Sequence, residues 1–226
     1  MTQKTLYKIG AVGAILGAVI TQVSGIMHPV ETSDLFNPAL HVPEVAANPT
    51  WLFVYFGFTV GFILLFTGLI AIAESIKEEP GASWAKIAIS LAGVSTALSL
   101  IFFVLDGFSM KIIAVAVVAA GNDAANMAAA GAVDRIGRAY HGMWTFFTWG
   151  LTPLVYGITV FKSGTYPKWL GLLPMLGGTV ALVTGAIILL NDFSLPLLTP
   201  FYISILIFNI FMIISGVMLW KKSSAA

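Results

Sequence analysis

Cysteine is missing from this 226-residue chain, and with it go disulfides, thiolate metal sites and cysteine nucleophiles. Charge is scarce: only 9% of residues are Asp, Glu, Lys or Arg, against 58% hydrophobic, and mean hydropathy is +0.95. A soluble domain carries roughly 25% charged residues, so this sequence has too little charge to dress a water-facing surface. The formal net charge of +1 gives no bulk basicity for nucleic acid, and no nucleic-acid motif is present. Walker, glycine-fingerprint and Ser–His–Asp patterns are also lacking, which turns the reading away from an enzyme.

What is there instead is a series of long apolar runs. Six are long enough to cross a hydrocarbon core, which takes about 20 residues: 8–27, 51–73, 86–105, 139–161, 168–190 and 199–220. Short connectors with turn chemistry join several of them, as at Glu79-Pro80-Gly81 and Ser163-Gly164. The expectation is an all-α integral membrane protein, a single membrane domain over 1–226 formed as a six-helix bundle.

Basic and aromatic residues cluster at matching ends: Trp84 with Lys86, Tyr166 with Lys168 and Trp169, Trp220 with Lys221 and Lys222. Such clusters read as anchors among lipid headgroups. With the N-terminus inside, Lys4, Lys8, Lys77, Lys86, Lys162, Lys168, Lys221 and Lys222 are cytoplasmic, and only Lys111, Arg135 and Arg138 are not. The positive-inside rule therefore puts both termini in the cytoplasm. The segments 28–50 and 106–138 then form an external loop and helix layer. A span through 112–133 would bury Asp123 at a cost of about 2.5–3.5 kcal/mol, so Asp106-Gly107 is read as a bend ending the third span. Asn122 or Asp123 is expected to cap a helix beyond it. The outer face holds Glu31, Asp34, Glu44, Asp106, Asp123, Asp134 and Asp192, seven of the ten carboxylates.

A faint periodicity links the odd spans (an inner Lys, a central Gly, a polar outer end) and suggests three hairpins of one kind. Small residues at helix contacts explain the same pattern without a repeat.

All three His lie on the outer side. His28, His41, Glu44, Asp106 and His141 are the candidate metal ligands, since imidazole and carboxylate suit Zn or Cu. His28 and His141 are the candidates for a haem edge. The competing reading is wet, hydrogen-bonded boundary histidines, and no HxxxH or HExxH spacing opposes it. In the fourth span His141, Thr145, Thr148 and Thr152 share one helical stripe. That stripe reads as packing or as a polar track. Pro153 is expected to kink the helix at its lower end. Arg135 and Arg138 are expected to pair with Asp134, Asp106 or Asp123. Every charge is placed at a boundary, which argues against proton-coupled transport.

The first span ending His28-Pro29, the acidic proline-rich loop, Trp51 opening the second span, Asp106-Gly107, and Tyr166-Pro167-Lys168-Trp169-Leu170-Gly171 together resemble uncharacterised multi-pass membrane proteins of prokaryotes, a family of unknown function. The resemblance implies a prokaryotic plasma membrane and transfers no activity. The functional expectation is a non-catalytic membrane component, an accessory subunit with lipid and other membrane proteins as partners. The alternatives are an outer-face Cu, Zn or haem protein and a small carrier for a neutral or apolar solute.

Overall fold

A computed structural model describes residues 1–29, 37–191 and 198–225. Every regular element among them is helical: α1 (Gln3–Met27), α2 (Pro38–Ala47), α3 (Trp51–Glu74), α4 (Gly81–Phe102), α5 (Met110–Ala119), α6 (Ala124–Trp144), α7 (Thr152–Lys162), α8 (Lys168–Asn191) and α9 (Leu198–Ala225). Two π-helical segments, Phe103–Ser109 and Thr145–Leu151, join α4 to α5 and α6 to α7 without a break.

Five stretches are long and apolar enough to cross a membrane: Gln3–Met27, Trp51–Glu74, Gly81–Ala119, Lys168–Leu190 and Thr199–Ser224. The chain is a multi-pass membrane protein in that sense. The segment 139–161 is helical throughout but is not among the five. Trp144, Thr145, Thr148, Trp149 and Thr152 dilute its apolarity, and all five are buried in the bundle.

The bend expected at Asp106-Gly107 is not there. Gly81–Ala119 runs on as one 39-residue helical stretch, about 58 Å at 1.5 Å per residue. A hydrocarbon core is only about 30 Å thick, so this helix outruns any span. A lone Gly is a weak breaker among Phe102, Phe103, Leu105, Phe108 and Met110. The wider π-helical turn takes up the irregularity instead. The overhanging part turns at Gly121 and Asn122, whose φ values are +80° and +59°. It returns as α6, whose first amides are capped by Asp123 through Ala125 N at 2.8 Å. The loop expected over 28–50 contains the full helix α2, started by Asn37 with Pro38 in its first turn. α2 packs on α5 and α6, and Lys111 Nζ donates to the C-terminal carbonyls of Val45, Ala46 and Asn48 at 2.9, 2.8 and 2.6 Å. A cation on the last carbonyls of a helix is also favoured by its dipole.

The long helices close into a ring. α1 lies against α3 and α9, α4 against α3 and α7, and α8 against α7 and α9. Two seams are glycine-lined at seven-residue intervals. Gly10 and Gly17 of α1 meet α3, which answers with Gly61 and Gly68; a Cβ on Gly68 would stand 2.7 Å from Ala14 Cα. Gly171, Gly178 and Gly185 of α8 meet Gly150 and Gly157 in the same way, and a Cβ on Gly171 would stand 2.6 Å from the Gly157 carbonyl. In lipid, where apolar burial cannot drive helices together, such close backbone approach is the main packing gain. The first seam joins the first and second spans, one of the hairpins read from the sequence, whereas the second joins the fourth and fifth, which that periodicity assigns to different hairpins.

At the lysine-rich end Trp169 and Trp220 are exposed, as interfacial anchors should be, but Tyr166 is not. Its hydroxyl is buried against Ser75 Oγ at 2.7 Å, with Lys222 Nζ 5.0 Å from the ring centroid. Tyr166 is a packing residue tying the α7–α8 connector to α3 and α9.

Overpacking typically costs about 1–3 kcal/mol. Gly68→Val should therefore lower the melting temperature in mild detergent by several degrees. Gly93→Val, on an α4 face with no atom within 4 Å of the added Cβ, should leave it nearly unchanged. Equal effects would show that the α1–α3 seam is not a close contact.

Candidate functional site

The polar side chains at the histidine end converge on one cavity of about 540 Å³. α1 ends there with His28, α2 supplies His41, and α3 supplies Tyr55 and Phe58. The π-helical turn after α4 supplies Phe103 and Asp106. α6 supplies Asp134, Gly137, Arg138 and His141, and α9 closes the far side with Phe201 and Tyr202. With Phe102 of α4 and Trp149 of the second π-helical segment, eight elements form the cavity, so it is placed by the fold and not by one loop.

Both π-helical segments border it, through Phe103 and Asp106 and through Trp149. Such turns recur at functional sites because they re-aim side chains and loosen the carbonyl ladder. Here Gly107 O accepts a bond from the buried Trp51 Nε1 at 2.9 Å. The lower π segment precedes Pro153, whose missing N–H and ring disturb the turn before it.

A hydrogen-bonded chain crosses one wall. His28 Nδ1 lies 3.1 Å from Pro29 O, and His28 Nε2 lies 3.1 Å from Tyr55 Oη. Tyr55 Oη in turn bonds the Asp106 carboxyl. A carbonyl only accepts, so His28 carries its hydrogen on Nδ1. Close to Asp106, Arg138 pairs with Asp134 one helical turn before it. His41 Nε2 stands 3.8 Å from the same carboxylate. Burial holds both His28 and His41 below the ordinary histidine value; Pro29 O opposes this at His28, and Asp134 opposes it at His41. The charged partner of Asp134 is therefore Arg138, and His41 stands beside it as a neutral imidazole. Arg135, the other arginine expected to pair here, is exposed.

Of the five candidate ligands, His28, His41, Asp106 and His141 line the cavity and Glu44 does not. Among the described residues no three His, Asp or Glu are grouped to hold one metal ion. His28 and Asp106 are separated by the Tyr55 hydroxyl. Phe102, Trp144 and Phe201 stand edge-on to His141 at centroid distances of 5.2, 5.4 and 5.5 Å. Glu31, Asp34 and Asp192 lie outside the described residues.

Thr145, Thr148 and Thr152 are buried, and two of them are engaged with α4. Thr152 Oγ1 lies 2.7 Å from Ser95 Oγ, Thr148 Oγ1 donates to Ser95 O at 3.3 Å, and Trp144 Nε1 donates to Ser99 Oγ at 2.9 Å. The stripe is interhelical packing below the cavity. A void of about 20 Å³ between Phe62, Ser95, Thr148 and Trp149 is room for about one water. Nothing in the sequence marks Tyr55, Trp51 and Trp144 as polar partners, because aromatic residues at span ends read as interfacial belts.

No protein-family model matches this chain, and comparison with curated proteins and with solved structures likewise finds no match.

His28 and His41 are neutral in the fold, whereas in the unfolded chain they titrate near about pH 6.5. Below that value the unfolded state binds more protons, so the stability these groups contribute is present above about pH 6.5 and is lost as pH falls. Thermal melts in detergent should show a falling melting temperature below about pH 6.5, down to about pH 5, where the unfolded histidines bind more protons than the fold. The double variant H28Q/H41Q should flatten that slope, and an unchanged slope would contradict the assignment.

Proposed function

We propose that this chain is a six-span integral membrane protein, both termini cytoplasmic, that binds a small, largely apolar molecule in the cavity at its histidine end. The observation that carries the reading is the cavity itself. Its size falls in the range of small-molecule sites, about 300–1,000 Å³, and its lining combines eight Phe, Tyr and Trp residues with polar groups that include His28, His41, Asp106 and His141. Those are the features by which a site holds the body of a ligand and fixes its orientation.

Support for the sixth span comes from 139–161. From Met143 to Phe161 every side chain that is not fully buried is apolar: Met143, Phe146, Phe147, Leu151, Leu154, Ile158 and Phe161. Polar residues face the bundle, apolar ones face outward, and lipid demands that arrangement. The distribution of Lys and Arg supports the orientation. With six spans the cavity lies on the outer side, near the membrane boundary. This reading favours the carrier or receptor of an apolar solute over the accessory subunit, for which no partner surface is needed to explain the fold.

Gly25 lines the cavity and has no atom within 4 Å of an added Cβ, so Gly25→Phe should fill the space without a clash. Solvent extraction and mass spectrometry of protein purified from membranes should recover a near-stoichiometric small molecule from the native chain. Gly25→Phe, folded to the same melting temperature within a few degrees, should lose it. The same extract from both proteins would contradict the reading.

A further inference from the structure

With each group in its ordinary state, the chain His28–Tyr55–Asp106 holds one proton too few. His28 spends its Nδ1 hydrogen on Pro29 O, so a neutral ring presents only a lone pair at Nε2, 3.1 Å from Tyr55 Oη. An ionised Asp106 presents lone pairs to that same hydroxyl. One phenolic hydrogen cannot serve both acceptors. One added proton resolves the conflict. Placed on Asp106, it lets the carboxyl donate to Tyr55 Oη, and Tyr55 then donates to His28. Placed on His28, it gives an imidazolium that donates to Tyr55, which donates to the carboxylate. Either way the three groups sum to zero charge. The first form avoids separating charge inside the protein and is the cheaper one.

The rest of the wall is balanced already. Asp134 is matched by Arg138, His41 stands beside that pair, and His141 is enclosed by aromatic rings. The guanidinium is committed to its carboxylate, so the site is poorly made for an anion. For a cation it is well made. Phe58, Phe102, Phe103, Trp144, Trp149 and Phe201 line the cavity, and aromatic rings attract positive charge through their faces. A carboxyl that can release a proton sits among them.

We propose that the cavity takes lipophilic organic cations, the cation's charge replacing the proton held by His28–Tyr55–Asp106, with one proton released from Asp106 to solvent for each cation bound. The proposal rests on the small-molecule reading above and gives it a ligand class and a coupling. The cavity wall is neutral both empty, with the proton, and filled, with the cation.

The probe is tetraphenylphosphonium, with triphenylphosphine oxide as an uncharged relative. Both are titrated calorimetrically into the purified full chain in detergent, in buffers of different ionisation enthalpy. The phosphonium should bind with release of about one proton, its apparent Kd rising up to about tenfold per unit fall in pH, as one linked proton requires. Asp106→Asn mimics the protonated carboxyl, because its amide still donates to Tyr55. It should keep the fold and any binding of the neutral probe but weaken the phosphonium by at least about tenfold and abolish proton release. Tyr55→Phe, which keeps the ring and removes the linking hydroxyl, should reduce the proton release as well. Phosphonium binding without proton release, binding indifferent to Asp106→Asn, or a neutral probe that binds as tightly overturns the proposal. If a probe binds and Gly25→Phe displaces it while charge is ignored, only the cation assignment falls. If Gly25→Phe displaces no bound probe, the small-molecule reading of the cavity falls with it.

Discussion

The bond from Tyr55 to the Asp106 carboxyl is the contact on which the histidine end depends. Asp106 sits between Phe102, Phe103, Leu105 and Phe108 in a 39-residue helical stretch, where an unpartnered carboxyl would be costly. Tyr55 removes that cost from a neighbouring helix. One turn earlier on the same helix, Trp51 Nε1 bonds Gly107 O, so two side chains of α3 grip the π-helical turn at adjacent residues. His28 then attaches the end of α1 to the same hydroxyl. Three helices are thus fixed to one point, and the aromatic rings of the cavity are held around it.

The glycine seams and the polar site divide the work along the membrane normal. The seams draw α1 onto α3 and α7 onto α8 closely enough that a methyl group does not fit. At the histidine end large aromatic side chains, among them Phe58, Phe103, Trp144 and Phe201, line the interior, and the cavity lies among them. A bundle that was glycine-lined along its whole length would have no interior volume. One that was aromatic along its whole length would lack close backbone contact to hold it. Lys111 adds a third element by fastening α2, and with it His41, to the overhanging helix through three carbonyls.

Much of this was legible in the sequence. Hydropathy runs identify the long helices. The three His and Asp106 were grouped at one end by position alone, and four of the five candidate ligands do line one cavity. The failures have physical causes. Asp106-Gly107 looked like a bend because acidic residues and glycine usually end apolar helices. Here Tyr55 and Trp51 satisfy the polar groups from another helix, a tertiary effect with no local signature. With the helix continuous, Asp106 belongs to the chain of bonds that lines the cavity and not to a turn. Tyr166 reads as an anchor in the sequence because phenols favour the interface, yet its partner Ser75 lies far away in sequence. Gly25 and Gly137, which leave room at the cavity wall, are indistinguishable in sequence from the glycines that close the seams.

The central claim is that the His28–Tyr55–Asp106 chain holds one proton more than its ordinary state at neutral pH. Infrared difference spectroscopy of the native chain against Asp106→Asn at pH 7 tests it directly. The account predicts the C=O stretch of a protonated carboxylic acid, shifted in D₂O and absent from the variant. If the native chain shows only an ionised carboxylate at Asp106, and nitrogen-15 spectra show His28 neutral, the extra proton does not exist and the account fails.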